Sequence, residues 1–201
     1  MRMMITEIEP VTKTRYKIYI NEEFACILYK GDMNSFGISK GAELSEKAWK
    51  RLKEEVLLKR AKLRAMHLLS DMGRTEEQLR QKLLQNGYPE DVTEAAITYV
   101  KSFGYINDEA YIRNFTESRK DKKSRREIQA LLAKKNVTGE LVEKVLDEIY
   151  EEHSEQDAIR EIMRRKRWNP EEMDRMQMQK AYASLVRKGF SYADIRRAFE
   201  S

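Results

Sequence analysis

The sequence is poor in the residues that build disulfide frameworks, metal sites and membrane spans. Its 201 residues include a single cysteine, Cys26, and two histidines, His67 and His153. One cysteine excludes an internal disulfide framework and suits a reducing cytosol. No apolar run approaches the length of a membrane span, and Met1 to Glu9 lacks the apolar core of a signal peptide. We therefore expect a cytoplasmic protein with no membrane segment.

Little in the sequence points to catalysis or to a cofactor. The eight glycines are scattered and form no nucleotide-binding loop. Neither His67 nor His153 has a second histidine or cysteine at metal-ligand spacing, and His153 with Asp157 alone is thin ligation for a metal ion. Cys26 has no histidine nearby in a β-prone segment, so a buried thiol is favoured over a nucleophile. We expect no enzyme activity, no metal and no cofactor.

Charge, by contrast, is abundant. Charged residues make up 36% of the chain, and 39 Lys and Arg against 34 Asp and Glu give a net charge of +5. A hydrophobic fraction of 41% with only three prolines suits a helical protein that has much surface per residue. The mildly basic balance is compatible with a nucleic acid or nucleoprotein partner.

A helical pattern occurs three times, at a spacing of about 50 residues. In the first copy Thr75 and Gln78 predict a capping box, and Gly87 is placed to end the helix. Asn136 and Gly189 take the place of Gly87 in the later copies. The apolar positions are Leu79, Leu83, Val92, Ala96 and Val100, then Ile128, Leu132, Leu141 and Val145, then Ala181, Leu185, Ile195 and Phe199. Such units form arrays because none can bury its apolar face alone.

The first 43 residues carry the alternating pattern of β-strands. The predicted strands lie around Ile5 and Ile8, at Arg15–Ile20, at Phe24–Tyr29 and at Phe36–Ile38. Turns are predicted at Asn21-Glu22 and at Gly31-Asp32. Short strands are marginal alone, so we expect a small antiparallel meander that packs on the first helix.

Capping residues predict where the other helices begin. A long helix starts at Ser45 and continues to about Ser70 with two apolar stripes. The stripes are Leu52, Val56 and Leu63, and Leu58, Ala61, Ala65 and Leu68. Further starts are predicted at Ser124 with Glu127, at Ser154 with Asp157, at Asn169-Pro170 and at Ser191.

These patterns predict a mainly α fold of tandem three-helix repeats, arranged as an elongated curved array behind a small N-terminal antiparallel β-meander. We expect the meander in residues 1–43 and the long helix with the first repeat in residues 44–108. The second repeat is expected in residues 109–153 and the third in residues 154–201.

Basic residues recur at the turn between the first and second helices of each repeat. The first corner is Arg74; the second corner comprises Arg119, Lys120, Lys122, Lys123, Arg125 and Arg126; the third corner comprises Arg164, Arg165, Lys166, Arg167 and Trp168. Stacked repeats would align these corners in a stripe, and phosphate contacts need only such a stripe. Two other readings stay open: solvated faces that only confer solubility, and a helix-turn-helix that reads DNA sequence.

The chain resembles the RecX family, bacterial regulators of the RecA recombinase, from about Ala61 to the C-terminus. The resemblance is carried by Arg74–Leu79 with Lys82-Leu83 and Gly87-Tyr88, by Gly104–Asp108 with Ala110-Tyr111, and by Arg119, Ser124, Ile128, Leu132 and Asn136-Val137. Asn107 stands where the family usually has an aspartate, and Ser124 and Asn136 replace common glycines. All three can still cap or end helices. The meander is similar to a β-extension found in some members.

The resemblance implies a non-enzymatic, monomeric regulator that takes part in DNA repair, recombination and the SOS response. It implies that the partners are the RecA filament and single-stranded DNA, with duplex DNA left open. A member of the family would lie in the filament groove and hinder filament growth, strand exchange and ATP turnover. An autonomous helix-turn-helix DNA-binding regulator is the alternative.

Overall fold

The structure, a computed structural model, describes residues 2–152 and 154–200. His153 and the predicted boundaries at residues 1, 153 and 201 lie outside the described residues. The chain divides into two compact units, Met1–Asn107 and Asp108–Ser201.

A four-stranded antiparallel sheet opens the first unit. Its strands are β1 (Met3–Pro10), β2 (Arg15–Ile20), β3 (Glu23–Tyr29) and β4 (Glu43–Leu44), in the order β3-β2-β1-β4. Asn21 and Glu22 join β2 to β3 with φ angles of 51° and 71°. Two left-handed residues are what a tight two-residue hairpin requires. The predicted small antiparallel sheet is confirmed.

The segment after β3 is a helix, so the turn predicted at Gly31-Asp32 and the strand predicted at Phe36–Ile38 are wrong. Helix α1 spans Lys30–Phe36. A carboxylate oxygen of Asp32 accepts from the backbone N–H of Tyr29 at 3.0 Å and caps the helix start. Gly37, with φ of 63°, ends it in the left-handed conformation.

The long helix is continuous but contains a π turn. Ser45 caps α2 (Glu46–Leu52), a π-helical segment follows at Lys53–Leu57, and α3 spans Leu58–Asp71. A π turn adds a residue to one turn and rotates the buried face. The core side chains after Leu52 are accordingly Leu57, Ala61, Ala65 and Leu68. Leu63, predicted in an apolar stripe, is 68% exposed.

The first repeat packs on the sheet through this long helix. Its remaining helices are α4 (Glu76–Gln85) and α5 (Glu90–Ser102), and the capping box of Thr75 and Gln78 is present. One continuous core joins the sheet, the long helix and both of these helices. It contains Ile18, Leu28, Leu52, Leu79 and Val100.

The second unit holds two three-helix groups. The first group is α6 (Asp108–Glu117), α7 (Arg125–Ala133) and α8 (Glu140–Glu152); the second is α9 (Glu155–Lys166), α10 (Arg175–Arg187) and α11 (Tyr192–Glu200). Each group has its own apolar core, centred on Ile128 and Leu146 in one and on Ile159 and Leu185 in the other.

The three stop residues share one geometry, as the repeat predicts. Gly87, Asn136 and Gly189 have φ angles of 85°, 58° and 86°. The backbone N–H after each stop donates to a leucine carbonyl five residues back. These bonds are Tyr88 to Leu83 at 3.3 Å, Val137 to Leu132 at 3.0 Å and Phe190 to Leu185 at 3.3 Å. This bonding satisfies carbonyls that the helix end leaves free.

Three local predictions in the second unit need correction. Leu141 is 36% exposed, so its predicted core position is wrong, whereas Val145 is buried as predicted, together with Val142 and Leu146. Asn169-Pro170 forms a turn, and the helix begins later because Asp174 and Gln177 form the capping box. Ser124 Oγ does accept from the N–H of Glu127, but the Glu127 carboxylate pairs with Lys123 rather than closing the box.

Within the described residues, no helix combines the length and apolarity that crossing a bilayer requires.

Candidate nucleic-acid interface

The basic side chains at and near the first corner bond to other residues of the same unit. Arg74 Nε donates to the carbonyl of Leu68 at 3.1 Å and so closes the end of α3. The nearby Arg80 forms ion pairs with Glu76, Glu77 and Glu94 at 2.6–2.9 Å. Hydrogen bonds that Arg80 donates to carboxylates, first of all to Glu94, raise the pKa of its guanidinium. These side chains tie helices together and offer little free charge.

Most cations of the second corner also have partners inside the protein. The Arg119 guanidinium lies 3.9 Å from the centre of the Phe115 ring, and its Nη1 donates to the carbonyl of the same residue at 3.0 Å. Lys120 pairs with Glu117 at 2.7 Å. Lys123 pairs with Glu127.

Arg125 joins three elements. Its guanidinium pairs with Glu143 at 2.8 Å and Asp147 at 2.6 Å, both on α8. Its backbone N–H donates to Glu155 Oε1 at 2.7 Å, in the first turn of α9. A guanidinium with two carboxylates carries little net field outward. We therefore read Arg125 as a residue that ties the two helical groups of this unit together.

The last two cations of the second corner are Lys122 and Arg126. Both side chains are exposed, and neither has an ion pair or side-chain hydrogen bond within residues 2–152 and 154–200. They are the cations of the second corner that can meet a phosphate without first breaking an internal pair.

The cations of the third corner also differ in whether they have partners inside the protein. Arg164 and Arg165 both bond Glu161, at 2.8 Å and 2.6 Å. Hydrogen bonds from Arg164 and then Arg165 lower the pKa of the Glu161 carboxyl to about 2. Lys166 and Arg167 are exposed and have no side-chain partner in the part of the chain that the structure describes. Arg167 ends α9 in the left-handed conformation, with φ of 55°.

Trp168 connects this corner to a surface depression. Its half-buried ring packs against the core of the α9–α11 group. Beside it lies a depression of about 380 Å³, and Arg167, Trp168 and Lys180 are among its lining residues. An aromatic face beside cations suits an unpaired base next to its phosphate. Lys180 was missed by sequence reasoning because it lies on α10, outside every charge run.

The second corner and α9 face each other inside the second unit. The residue between Lys123 and Arg125 also reaches the end of α10, where the backbone N–H of Ser124 donates to the carbonyl of Lys188 at 3.4 Å. Asp121, which lies between Lys120 and Lys122 of the second corner, lines a depression of about 360 Å³ with Asp157, Arg160, Glu161 and Arg164 of α9. Both acidic and basic side chains line this depression. The unpaired cations, rather than the whole charge run, are therefore the residues to test.

The lone thiol is buried, as predicted. Cys26 in β3 is 0% exposed, and burial raises its pKa to about 12. Such a thiol does not act as a nucleophile at neutral pH. Among the described residues, no three His, Cys, Asp or Glu side chains are grouped so that they could hold a metal ion.

Two family models match the chain. "RecX, first three-helix domain" matches residues 61–99, which cover parts of α3 and α5 and all of α4. "RecX, third three-helix domain" matches residues 154–199, the α9–α11 group.

Relatives resemble the chain over its whole length. A "Regulatory protein RecX" of Caldanaerobacter subterraneus subsp. tengcongensis is 33% identical over 98% of both chains. Another of the same name, from Clostridium perfringens, is 27% identical over 92% of this chain and 89% of its own.

Solved structures share the fold. One titled "Crystal structure of regulatory protein RecX" covers 99% of this chain and 100% of its own, at 24% identity and a TM-score of 0.60. The RecX structure from Lactobacillus salivarius covers 72% of this chain and 95% of its own, at 23% identity and a TM-score of 0.61.

Proposed function

The chain belongs to the RecX family of regulatory proteins, and from that premise we propose that it binds RecA filaments on DNA and restrains their activity. The full-length match to a regulatory protein at 33% identity is the observation that carries this proposal. The regulated steps are filament extension, strand exchange and ATP turnover. The protein acts in the cytoplasm by occupying the filament, not by catalysis.

The charge distribution of the second unit supports a contact with DNA inside that filament. Lys122, Arg126, Lys166 and Arg167 are exposed and unpaired within the described residues, and we call them the free cations. Phosphates attract such side chains without regard to base sequence. Trp168 adds an aromatic surface beside one of them, Arg167. Binding to a nucleoprotein of any sequence therefore suits this surface better than the reading of one operator.

A pulldown tests the proposal. RecA is assembled on biotinylated poly(dT) with a non-hydrolysable ATP analogue, captured on beads and incubated with the protein. We expect retention on the filament, and much weaker retention on RecA without DNA. Retention that depends on neither RecA nor DNA would contradict the proposal.

A duplex footprint separates the rival function. A helix-turn-helix regulator would protect one defined duplex site at low concentration and would not need RecA. The proposed function predicts no protected site on a library of unrelated duplexes under the same salt conditions.

A further inference from the structure

A cavity of about 710 Å³ opens in the first unit, beside β3, the strand at one edge of the sheet. Arg15 of β2, Arg60 and Arg64 of α3, and Tyr29 and Tyr88 line it. Its volume lies within the range of small-molecule sites, roughly 300–1,000 Å³. None of these residues belongs to the basic corners.

Two of the three arginines lack a counter-ion. The Nε atoms of Arg15 and Arg64 are buried and have no hydrogen-bond partner. Neither guanidinium has an ion pair with any carboxylate among the described residues. A buried polar group without a partner costs about 1–3 kcal/mol, and more when it is charged. An anion bound in the cavity would balance the charge that these two guanidinium groups carry without a carboxylate partner.

The charge of the cavity is strongly positive. Three arginines line it, and no Asp or Glu is among its lining residues. Asp32 bonds Arg60 through both carboxylate oxygens, at 2.5 Å and 2.9 Å, and so neutralises that one guanidinium. The other two charges remain for an anion. Arginine presents a planar fork of donors that matches phosphate oxygens.

Aromatic side chains complete the lining. Tyr29 is 44% exposed, and the Arg60 guanidinium lies 4.7 Å from the centre of its ring. Tyr88 is half-buried, and burial raises the pKa of its hydroxyl although Arg60, Arg64 and Arg15 act in the opposite direction. Tyr88 therefore stays neutral at physiological pH. The rings of both tyrosines can pack against a flat, uncharged group.

The position of Tyr88 is fixed by its neighbours. Gly87, directly before it, accepts a hydrogen bond from the backbone N–H of Ile27 in β3 at 3.1 Å. Arg60 is held by Asp32 of α1. The cavity is thus organised before any ligand arrives, which lowers the entropy lost on binding.

We propose that this cavity binds one nucleotide, with its phosphate on Arg15 and Arg64 and its base against Tyr29 and Tyr88. The same chemistry is offered by a free nucleotide and by an unpaired nucleotide of a DNA strand. The site does not depend on the filament function, because its residues lie in the other unit and its test needs no recombinase. A carboxylate or phosphate ion that carries no ring would leave Tyr29 and Tyr88 without a flat group to pack against.

Calorimetric titration of the full chain at low salt tests the site with three probes: thymidine monophosphate, a dT oligomer and inorganic phosphate. The test variant is R15Q/R64Q. The matched control is K40Q/K47Q, which removes two exposed charges of the same unit away from the cavity. Unfolding midpoints establish that each variant folds.

We expect thymidine monophosphate or the oligomer to bind the wild type and the control alike, and R15Q/R64Q at least tenfold more weakly. Binding of the monophosphate identifies a free nucleotide as the source, and binding of the oligomer alone identifies a DNA strand. If R15Q/R64Q does not fold, R64K and Y29L each take its place. R64K keeps the charge but loses the fork, and Y29L removes one ring. Both should weaken binding.

Three results would overturn the site: equal affinities in wild type and variants, phosphate binding as tightly as the nucleotide, or displacement of the nucleotide by oligoglutamate at equal concentration. Equal affinities would exclude the cavity as the binding site. Either of the other two results would show that the cavity binds anions in general. The filament pulldown is unaffected by these outcomes, since the free cations stay intact in every variant used here.

Discussion

The backbone N–H of Ile27 donates to the carbonyl of Gly87 at 3.1 Å, so the sheet edge is bonded to the stop between α4 and α5. A Cβ added to Gly87 would overlap the Ile27 side chain. Gly87 thus meets two demands at once: a left-handed backbone with φ of 85°, and close approach of β3.

Gly87→Ala should destabilise the protein more than Gly139→Ala. Gly139 also has a positive φ, 106°, but an added Cβ meets nothing within 4 Å. Strain alone should cost about 1 kcal/mol at Gly139. The displaced Ile27 should raise the loss at Gly87 to on the order of 2–3 kcal/mol. Urea unfolding measures both, and equal losses would show that the sheet contact is unimportant.

Glu155→Gln should stabilise the protein at neutral pH. Burial, and then the charge of Asp194, raise the pKa of the Glu155 carboxyl, while the hydrogen bond from the backbone N–H of Arg125 acts in the opposite direction. A raised folded-state pKa means that the ionised carboxylate opposes folding at neutral pH, and stability is gained as the pH falls through that pKa. A glutamine keeps an acceptor for Arg125 without the charge.

The gain from Glu155→Gln should shrink as the pH falls towards the ordinary glutamate value, ~4.3, because the wild-type side chain then becomes neutral as well. Thermal unfolding across this range provides the measurement. Glu161→Gln is the matched control: its pKa is lowered by Arg164 and Arg165, so its carboxylate favours folding at neutral pH. A loss of stability in Glu155→Gln at neutral pH would contradict the assignment.

The salt dependence of DNA binding should separate the free cations from the paired ones. Replacing Lys122, Arg126, Lys166 and Arg167 by Gln should weaken binding to single strands and flatten the salt slope by roughly 0.7 per lost contact. Arg164→Gln should have a smaller effect, because the wild-type Arg164 must first break its ion pair with Glu161 before it can bind a phosphate. The losses should be similar for unrelated sequences. Equal effects per cation in both sets would mean that internal pairing does not decide which cations meet phosphate.

Local sequence signals predicted the repeat well because helix stops and caps depend on a few neighbouring residues. Gly87, Asn136 and Gly189 could each be recognised from the apolar residues around them. The same holds for the capping boxes at Thr75 and Ser154.

What the sequence could not supply depends on non-local packing. The π turn at Lys53–Leu57 rotates the long helix, and no local signal of it is visible, so Leu63 was placed in a stripe that the fold exposes. The strand expected at Phe36–Ile38 gave way to a helix whose capping residue, Asp32, is also held by Arg60 of the distant α3.

The candidate interface shows the same division. Charge runs located the basic corners, but their partners lie on other turns and helices: Glu143 and Asp147 for Arg125, and Glu161 for Arg164 and Arg165. Only the fold separates the free cations from the paired ones. The four-part division of the chain and the filament contact of the basic corners stay predictions.

The DNA-dependent ATPase of RecA tests the central claim most directly. The wild-type protein, titrated into RecA on single-stranded DNA, should lower the ATPase rate in a dose-dependent manner. The variant with Gln at Lys122, Arg126, Lys166 and Arg167 should need a markedly higher concentration. A control with Gln at the exposed Lys13, Lys30, Lys40 and Lys47 loses the same charge and should inhibit like the wild type. An ATPase rate that stays unchanged at micromolar wild-type protein, with full occupancy of one duplex sequence instead, would contradict the account.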